Sequence, residues 1–158
     1  MSTSAVHIQD WLYSLKEAAG ELAVSTMGFD GCTMTQTSKK LPMGVSGSSI
    51  SLVSDGDSVQ IGFFTQRDGC KKLAQAMLGM APEDELSDAD VADAMGEVVN
   101  IVAGGVKRQM SEKSPGIQLG LPLFMNGQIE IGENQEGIVG DAAVGPVPVH
   151  LLVLRKKS

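Results

Sequence analysis

Between Val6 and Met27 the apolar residues Ile8, Trp11, Leu12, Leu15, Ala18, Ala19, Leu22 and Ala23 recur every three or four positions. That period is one face of an α-helix, so the pattern predicts an amphipathic helix over 6–27, stopped near Gly28. Residues 29–44 are broken by Gly31, Pro42 and Gly44 and read as loops around one strand at 32–37. Two strand-like runs follow, 45–53 and 58–65, and the Asp55-Gly56-Asp57 between them has the chemistry of a tight hairpin turn. A short helix over 68–78 buries Leu73, Ala76 and Met77, and Pro82 with Glu83-Asp84-Glu85 forms a solvated link. Ser87 then reads as an N-cap, with Asp88 and Asp90 in a first turn where negative charge suits the helix dipole. The helix it opens extends over 88–110. After a Ser/Pro/Gly loop, three further strands are expected at 117–124, 128–131 and 144–154.

This order (helix, strands, two helices, strands) predicts an α/β fold of the α+β type. A mostly antiparallel sheet would pack against two long helices and one short one. A chain of 158 residues is one domain's worth, no linker divides it, and residues 1–158 are read as a single domain. Hydrophobic residues make up 42% and aromatic residues only 4%, so the core is to be built from aliphatic and thioether side chains.

Charge narrows the function. A net charge of −7 with no dense Lys/Arg patch repels phosphate backbones, which argues against nucleic acid and against an anionic membrane surface. No segment reaches the roughly 18 apolar residues of a membrane span, and no signal peptide is visible. The location expected is cytoplasmic. Cys32 and Cys70 form no CxxC pattern and no disulfide framework. Cys70 sits beside Lys71 and Lys72 near a helix start, where a thiol is either activated or structural. His7 and His150 are isolated, so no metal cluster is expected, and no Gly-rich run is followed by the Lys-Ser/Thr of a phosphate-binding loop.

The second long helix carries the best candidate chemistry. At about 100° per residue, Asp93, Glu97, Asn100, Gly104 and Arg108 fall within an arc of roughly 80°. Val91, Met95, Val98, Val102 and Val106 occupy the opposite side. Asn100 is costly in a helix interior, on the order of 0.5 kcal/mol against Ala, and Gly104 costs about 1 kcal/mol. Either this is a solvated face with Gly104 and Gly105 allowing close packing, or another molecule approaches it closely. In the second case the amide of Asn100 orients a water and Glu97 pairs with a partner's cation.

The two long helices also resemble each other. Glu17-Ala18-Ala19-Gly20-Glu21-Leu22-Ala23-Val24 aligns with Asp93-Ala94-Met95-Gly96-Glu97-Val98-Val99-Asn100, and both segments run on to a glycine at the same offset, Gly28 and Gly104. Either two Ala/Glu-rich helices are alike by chance, or helices 6–27 and 88–110 belong to an internal pseudo-repeat in which Val24 stands where Asn100 stands.

Asp93-x-x-x-Glu97-x-x-Asn100, followed by Ile101-Val102-Ala103-Gly104-Gly105-Val106-Lys107, resembles the signature helix of the CheC/CheX/FliY family of chemotaxis phosphatases, the CheX type in particular. The helix from Lys71-Lys72-Leu73-Ala74 to Met80 with its acidic link, and the strand near Gln118-Leu119-Gly120-Leu121-Pro122, are similar too. The resemblance runs from about Val6 to the last strand. It implies an enzyme that hydrolyses the phospho-aspartate of a CheY-type response regulator. Asn100 would position the attacking water and Glu97 would pair with the regulator's lysine, with Asp93 and Gly104 at the partner surface. Mg²⁺ would sit on the regulator, and this chain would bind no cofactor of its own. The CheX type further implies a homodimer with one active site per chain, since Glu21-x-x-Val24 lacks the amide. A second reading keeps the fold but makes the chain a non-catalytic regulatory module in chemotaxis or another two-component pathway.

Overall fold

The computed structural model describes residues 6–55, 57–127 and 129–157. Helix α1 (Ile8–Leu22) continues into a π-helical turn (Ala23–Met27) and ends at Gly28, whose φ of 75° is the left-handed conformation that glycine adopts at a helix C-terminus. Strands β1 (Cys32–Ser38), β2 (Val45–Ser54) and β3 (Asp57–Thr65) come next, then α2 (Arg67–Met77) and α3 (Asp88–Met110). The chain closes with β4 (Gln118–Leu119), β5 (Leu123–Gly127), β6 (Gln135–Val144) and β7 (Val147–Lys156). All pairings are antiparallel, in the order β1-β6-β7-β3-β2-β4, with β5 also on β2. The predicted α+β class and single domain are as observed.

Alternation along the strands separates two apolar layers. Ile50, Leu52, Ile61, Phe63, Val149, Leu151 and Val153 point to the helices and form the main core with Trp11, Leu15, Leu73, Met95, Val98, Val102 and Val106. Phe64, Val139, Leu152 and Leu154 point the other way and form a smaller cluster with Leu41 and Val45. Burying one such Val, Leu or Phe contributes roughly 1.5–3 kcal/mol. The helices α1 and α3 lie against each other where Gly105 faces Ala18. A Cβ on Gly105 would stand 2.9 Å from that of Ala18. The close-packing role foreseen for the glycine pair thus belongs to Gly105. A Cβ on Gly104 would meet nothing nearer than Arg108 Nη1 at 3.9 Å, which is ordinary contact.

The C-terminal strands differ from expectation. The run at 117–124 is interrupted by Gly120-Leu121-Pro122 and becomes β4 and β5. Residues 129–131 are not a strand; Ile129 and Ile131 instead pack on the second face of the sheet, and Gln128 lies outside the described residues. The run at 144–154 is the end of β6, a turn at Gly145 (φ 56°) and most of β7. Strand β6 itself is not foreseen by the hydrophobic pattern. Strands β2 and β3 form the expected hairpin, with Ser54 opposite Asp57, so that Asp57 opens β3 rather than lying in the turn, and Gly56 lies outside the described residues.

Candidate functional site

Helix α3 begins where expected because the Ser87 hydroxyl accepts the Asp90 N–H at 3.1 Å, a cap that contributes about 1 kcal/mol. Acids in its first turn and Lys107 and Arg108 in its last both suit the helix dipole. Ala94, Met95, Val98, Val99, Val102, Ala103 and Val106 are buried. With that face locked into the core, Asp93, Glu97 and Asn100 are turned outward, and all three are exposed. A residue on a helix held this firmly presents its side chain in a fixed direction, which is what positioning a reactive water requires.

These three side chains line a shallow groove of about 430 Å³ together with Ala92, Gly96 and the loop Gly120-Leu121-Pro122. Pro122 of the loop faces Gly96, where a Cβ would lie 3.8 Å from Pro122 Cβ and Cγ, an ordinary contact distance. The loop is tied down by the Gly120 N–H, which donates to the Ser51 carbonyl at 2.8 Å. Phe124 also lines the groove. Gly104 is half-buried on the same face.

Arg108 shares the polar arc but turns away from the groove, and its Nη2 lies 3.9 Å from Glu21 Oε2 on α1. Among the described residues no cation lies within salt-bridge distance of Asp93 or Glu97. The groove therefore holds two carboxylates, one carboxamide and an apolar loop, an arrangement able to receive a cation and hold a water.

A second depression lies along α1 and is lined by Lys16, Glu17, Gly20, Glu21, Val24, Ser25, Gly31 and Cys32. It includes the residues that align with Asp93, Gly96, Glu97 and Asn100. Its chemistry is different: Glu17 is 3.2 Å from Lys16 Nζ, Glu21 faces Arg108, and Val24 is exposed on the π-helical turn.

The remaining candidates are structural. Cys32 and Cys70 are buried free thiols, and burial pushes both up to about 11, so the lysines beside Cys70 do not activate it. Cys70 Sγ donates to the Ser46 carbonyl at 3.4 Å. His7 is the N-cap of α1. His150 is not isolated: its Nδ1 lies 2.8 Å from Asp141 Oδ1, and Gln36 Nε2 donates to Asp141 Oδ2 at 2.8 Å. The hydrogen bond from Gln36 is the main reason the Asp141 carboxyl lies below its usual value, with His150 adding to it. Three strands bring this cluster together, so nothing in local spacing announces it. Among the described residues no group of three His, Cys, Asp or Glu side chains could hold a metal ion, and no described helix is long and apolar enough to cross a membrane.

Comparison with known proteins agrees with this fold. The family described as chemotaxis phosphatase CheX matches residues 46–139. The chemotaxis protein CheX from Vibrio vulnificus superposes with a TM-score of 0.76 at 18% identity, covering 93% of this chain and 99% of that one. A chemotactic CheC-like protein from Shewanella oneidensis gives a TM-score of 0.67 at 22% identity, covering 94% and 95% of the two chains. The CheX–CheY–BeF3–Mg²⁺ complex from Borrelia burgdorferi gives 0.71 at 16%, covering 94% and 99%. At these identities the likeness shows the fold. Among curated proteins none matches the sequence.

Proposed function

The chain belongs to the CheX family of chemotaxis phosphatases, and on that premise we propose that it dephosphorylates the phospho-aspartate of a CheY-type response regulator. Asn100 orients the attacking water, Glu97 pairs with a lysine of the regulator, and Asp93 and Gly104 lie at the partner surface. The observation that carries this reading is the presentation of Asp93, Glu97 and Asn100 along one groove, outward on a helix whose other face is buried.

The chemistry asks little beyond positioning. An acyl phosphate is labile, so a water held in line with the phosphorus completes most of what hydrolysis needs. The water oxygen bonds to phosphorus as the bond to the aspartyl oxygen breaks, releasing phosphate and a free carboxylate. The Asn100 amide can donate to and accept from that water, which valine or alanine cannot. Mg²⁺ belongs to the regulator, where it neutralises phosphoryl oxygens. The working unit on this reading is a cytoplasmic homodimer with one active groove per chain.

We also infer that the chain is a pseudo-repeat of two halves, each a long helix, an outer strand and a hairpin. In the sheet β1 lies beside the β6–β7 hairpin, while β4 and β5 lie beside the β2–β3 hairpin. Each half thus lends its outer strand to the other, an arrangement expected of two intertwined copies of one unit.

The test is phosphate release from a Mg²⁺-loaded, phosphorylated CheY-type receiver with wild type, Asn100→Ala and Glu97→Lys in parallel. Wild type should accelerate release. Asn100→Ala should return it to the receiver's own rate, with the melting temperature retained because the side chain is exposed. Glu97→Lys should weaken receiver binding roughly tenfold or more by reversing the pairing charge. Binding without acceleration would instead support a regulatory module that docks receivers and does no chemistry.

A further inference from the structure

We propose that Leu121 is the apolar anchor of the groove, a docking residue that sets affinity for the receiver and takes no part in the chemistry. This inference rests on the function proposed above. Leu121 is 89% exposed, against 53% for Leu78 and 59% for Leu123. Isolated exposed leucines are common, and exposure alone would mean little. What distinguishes Leu121 is how the backbone holds it out, and beside what.

Strands β4 and β5 both pair with β2, Leu119 opposite Leu52 and Leu123 opposite Ser49. Between those pairs β2 has two residues, Ile50 and Ser51, while the facing chain has three, Gly120, Leu121 and Pro122. The extra residue makes a bulge, and bulges on sheet edges re-aim a side chain that would otherwise follow the pleat. The Gly120 N–H ties this one to the Ser51 carbonyl, and Pro122 faces α3 at Gly96, where a Cβ would stand 3.8 Å from it. Proline suits the position because an edge strand does not need its N–H for the ladder. Leu121 is therefore held on a braced bulge rather than on a wandering loop, and ordering it on binding costs little conformational entropy.

The bulge forms one wall of the groove, and Asp93, Glu97 and Asn100 form the other. An apolar knob facing two carboxylates with no cation in salt-bridge distance among the described residues fits one kind of occupant. It is a protein surface with a cationic side chain at its reactive centre and an apolar depression nearby. On the function proposed, that occupant is the phosphorylated receiver domain. Charge would supply register and Leu121 the buried area that slows dissociation, as central apolar contacts do in protein interfaces.

The experiment measures both affinity and turnover. Binding of wild type, Leu121→Ser, Leu121→Met and Asn100→Ala is titrated with a CheY-type receiver carrying Mg²⁺ and beryllium fluoride. Phosphate release from the phosphorylated receiver is measured with the same proteins, and sedimentation gives their oligomeric state. Leu121→Ser should raise Kd and KM about tenfold or more, with kcat at saturating receiver within twofold of wild type and the melting temperature unchanged. Leu121→Met should restore most of the affinity. An unchanged Kd in Leu121→Ser, or a loss confined to kcat, overturns the anchor role. So does a shift in oligomeric state at unchanged receiver affinity, which would assign the bulge to a second copy of this chain. If wild type is active and Asn100→Ala is not while Leu121→Ser behaves as wild type, only the anchor falls. If wild type neither binds nor accelerates any receiver, the phosphatase reading falls and takes the anchor with it.

Discussion

Arg108 on α3 points its guanidinium at Glu21 on α1, Nη2 to Oε2 3.9 Å, and so gives the α1 helix face a cation from the neighbouring helix. Both side chains are largely exposed, so the pair adds little to stability. Its consequence is for chemistry. It distinguishes two helix faces that are nearly alike in sequence. On α3 the Glu97 carboxylate has no cation within salt-bridge distance among the described residues, whereas on α1 the aligned Glu21 faces a partner.

The first prediction concerns that asymmetry. Val24→Asn restores the missing amide on α1, yet it should not create a second active groove. Residue 24 lies on a π-helical turn, not on a regular α-helix as residue 100 does, and Glu21 remains engaged by Arg108. In an Asn100→Ala background, Val24→Asn should leave receiver dephosphorylation at the receiver's own rate. Recovery of a substantial part of wild-type activity would show that the α1 face needs only the amide.

The second prediction separates the neighbouring glycines. Gly105→Val forces bulk into the α1–α3 contact at Ala18 and should cost about 1–3 kcal/mol in urea unfolding. Gly104→Ala meets nothing closer than a flexible arginine tip, and it should stabilise the helix by up to about 1 kcal/mol. If a partner's surface approaches Gly104, the same change should raise receiver Kd. A more stable protein with undiminished affinity would remove Gly104 from the partner surface.

The third prediction is a pH dependence on the other side of the sheet. Hydrogen bonding from Gln36, with His150 on the second oxygen, lowers the Asp141 pKa below the usual aspartate value of about 3.9. A carboxylate with a depressed folded pKa stabilises the protein above its unfolded pKa, and that contribution is lost as pH falls through the folded value. Asp141→Asn should therefore lower the urea midpoint at neutral pH, and the gap from wild type should close below about pH 3.9. A gap independent of pH would mean that the substitution acts through packing.

How much of this was readable beforehand differs by element. Helix α3 was legible to its last residue because its signals are local: a serine cap, acids in the first turn, and apolar side chains at helical period. The outward direction of Asp93, Glu97 and Asn100 follows from the same period. Strand β6 was hidden because Gly137 and Gly140 interrupt it and weaken a strand pattern. A Cβ at Gly137 would fall 2.5 Å from Ile131 Cδ1, and one at Gly140 the same distance from Met34 Sδ. Conversely, Ile129 and Ile131 looked like a strand because they cap the second face of the sheet, a role that produces apolar residues without a pairing partner.

The sequence by itself determined the helix faces, the β2–β3 hairpin and the acid–amide stripe, since each depends on residues a few positions apart. Only the tertiary structure decided that Leu121 faces that stripe, that Arg108 serves Glu21, and that Gln36, Asp141 and His150 meet. Those depend on strand register and helix packing, where one residue's shift turns a side chain to the opposite face and no local pattern records the choice.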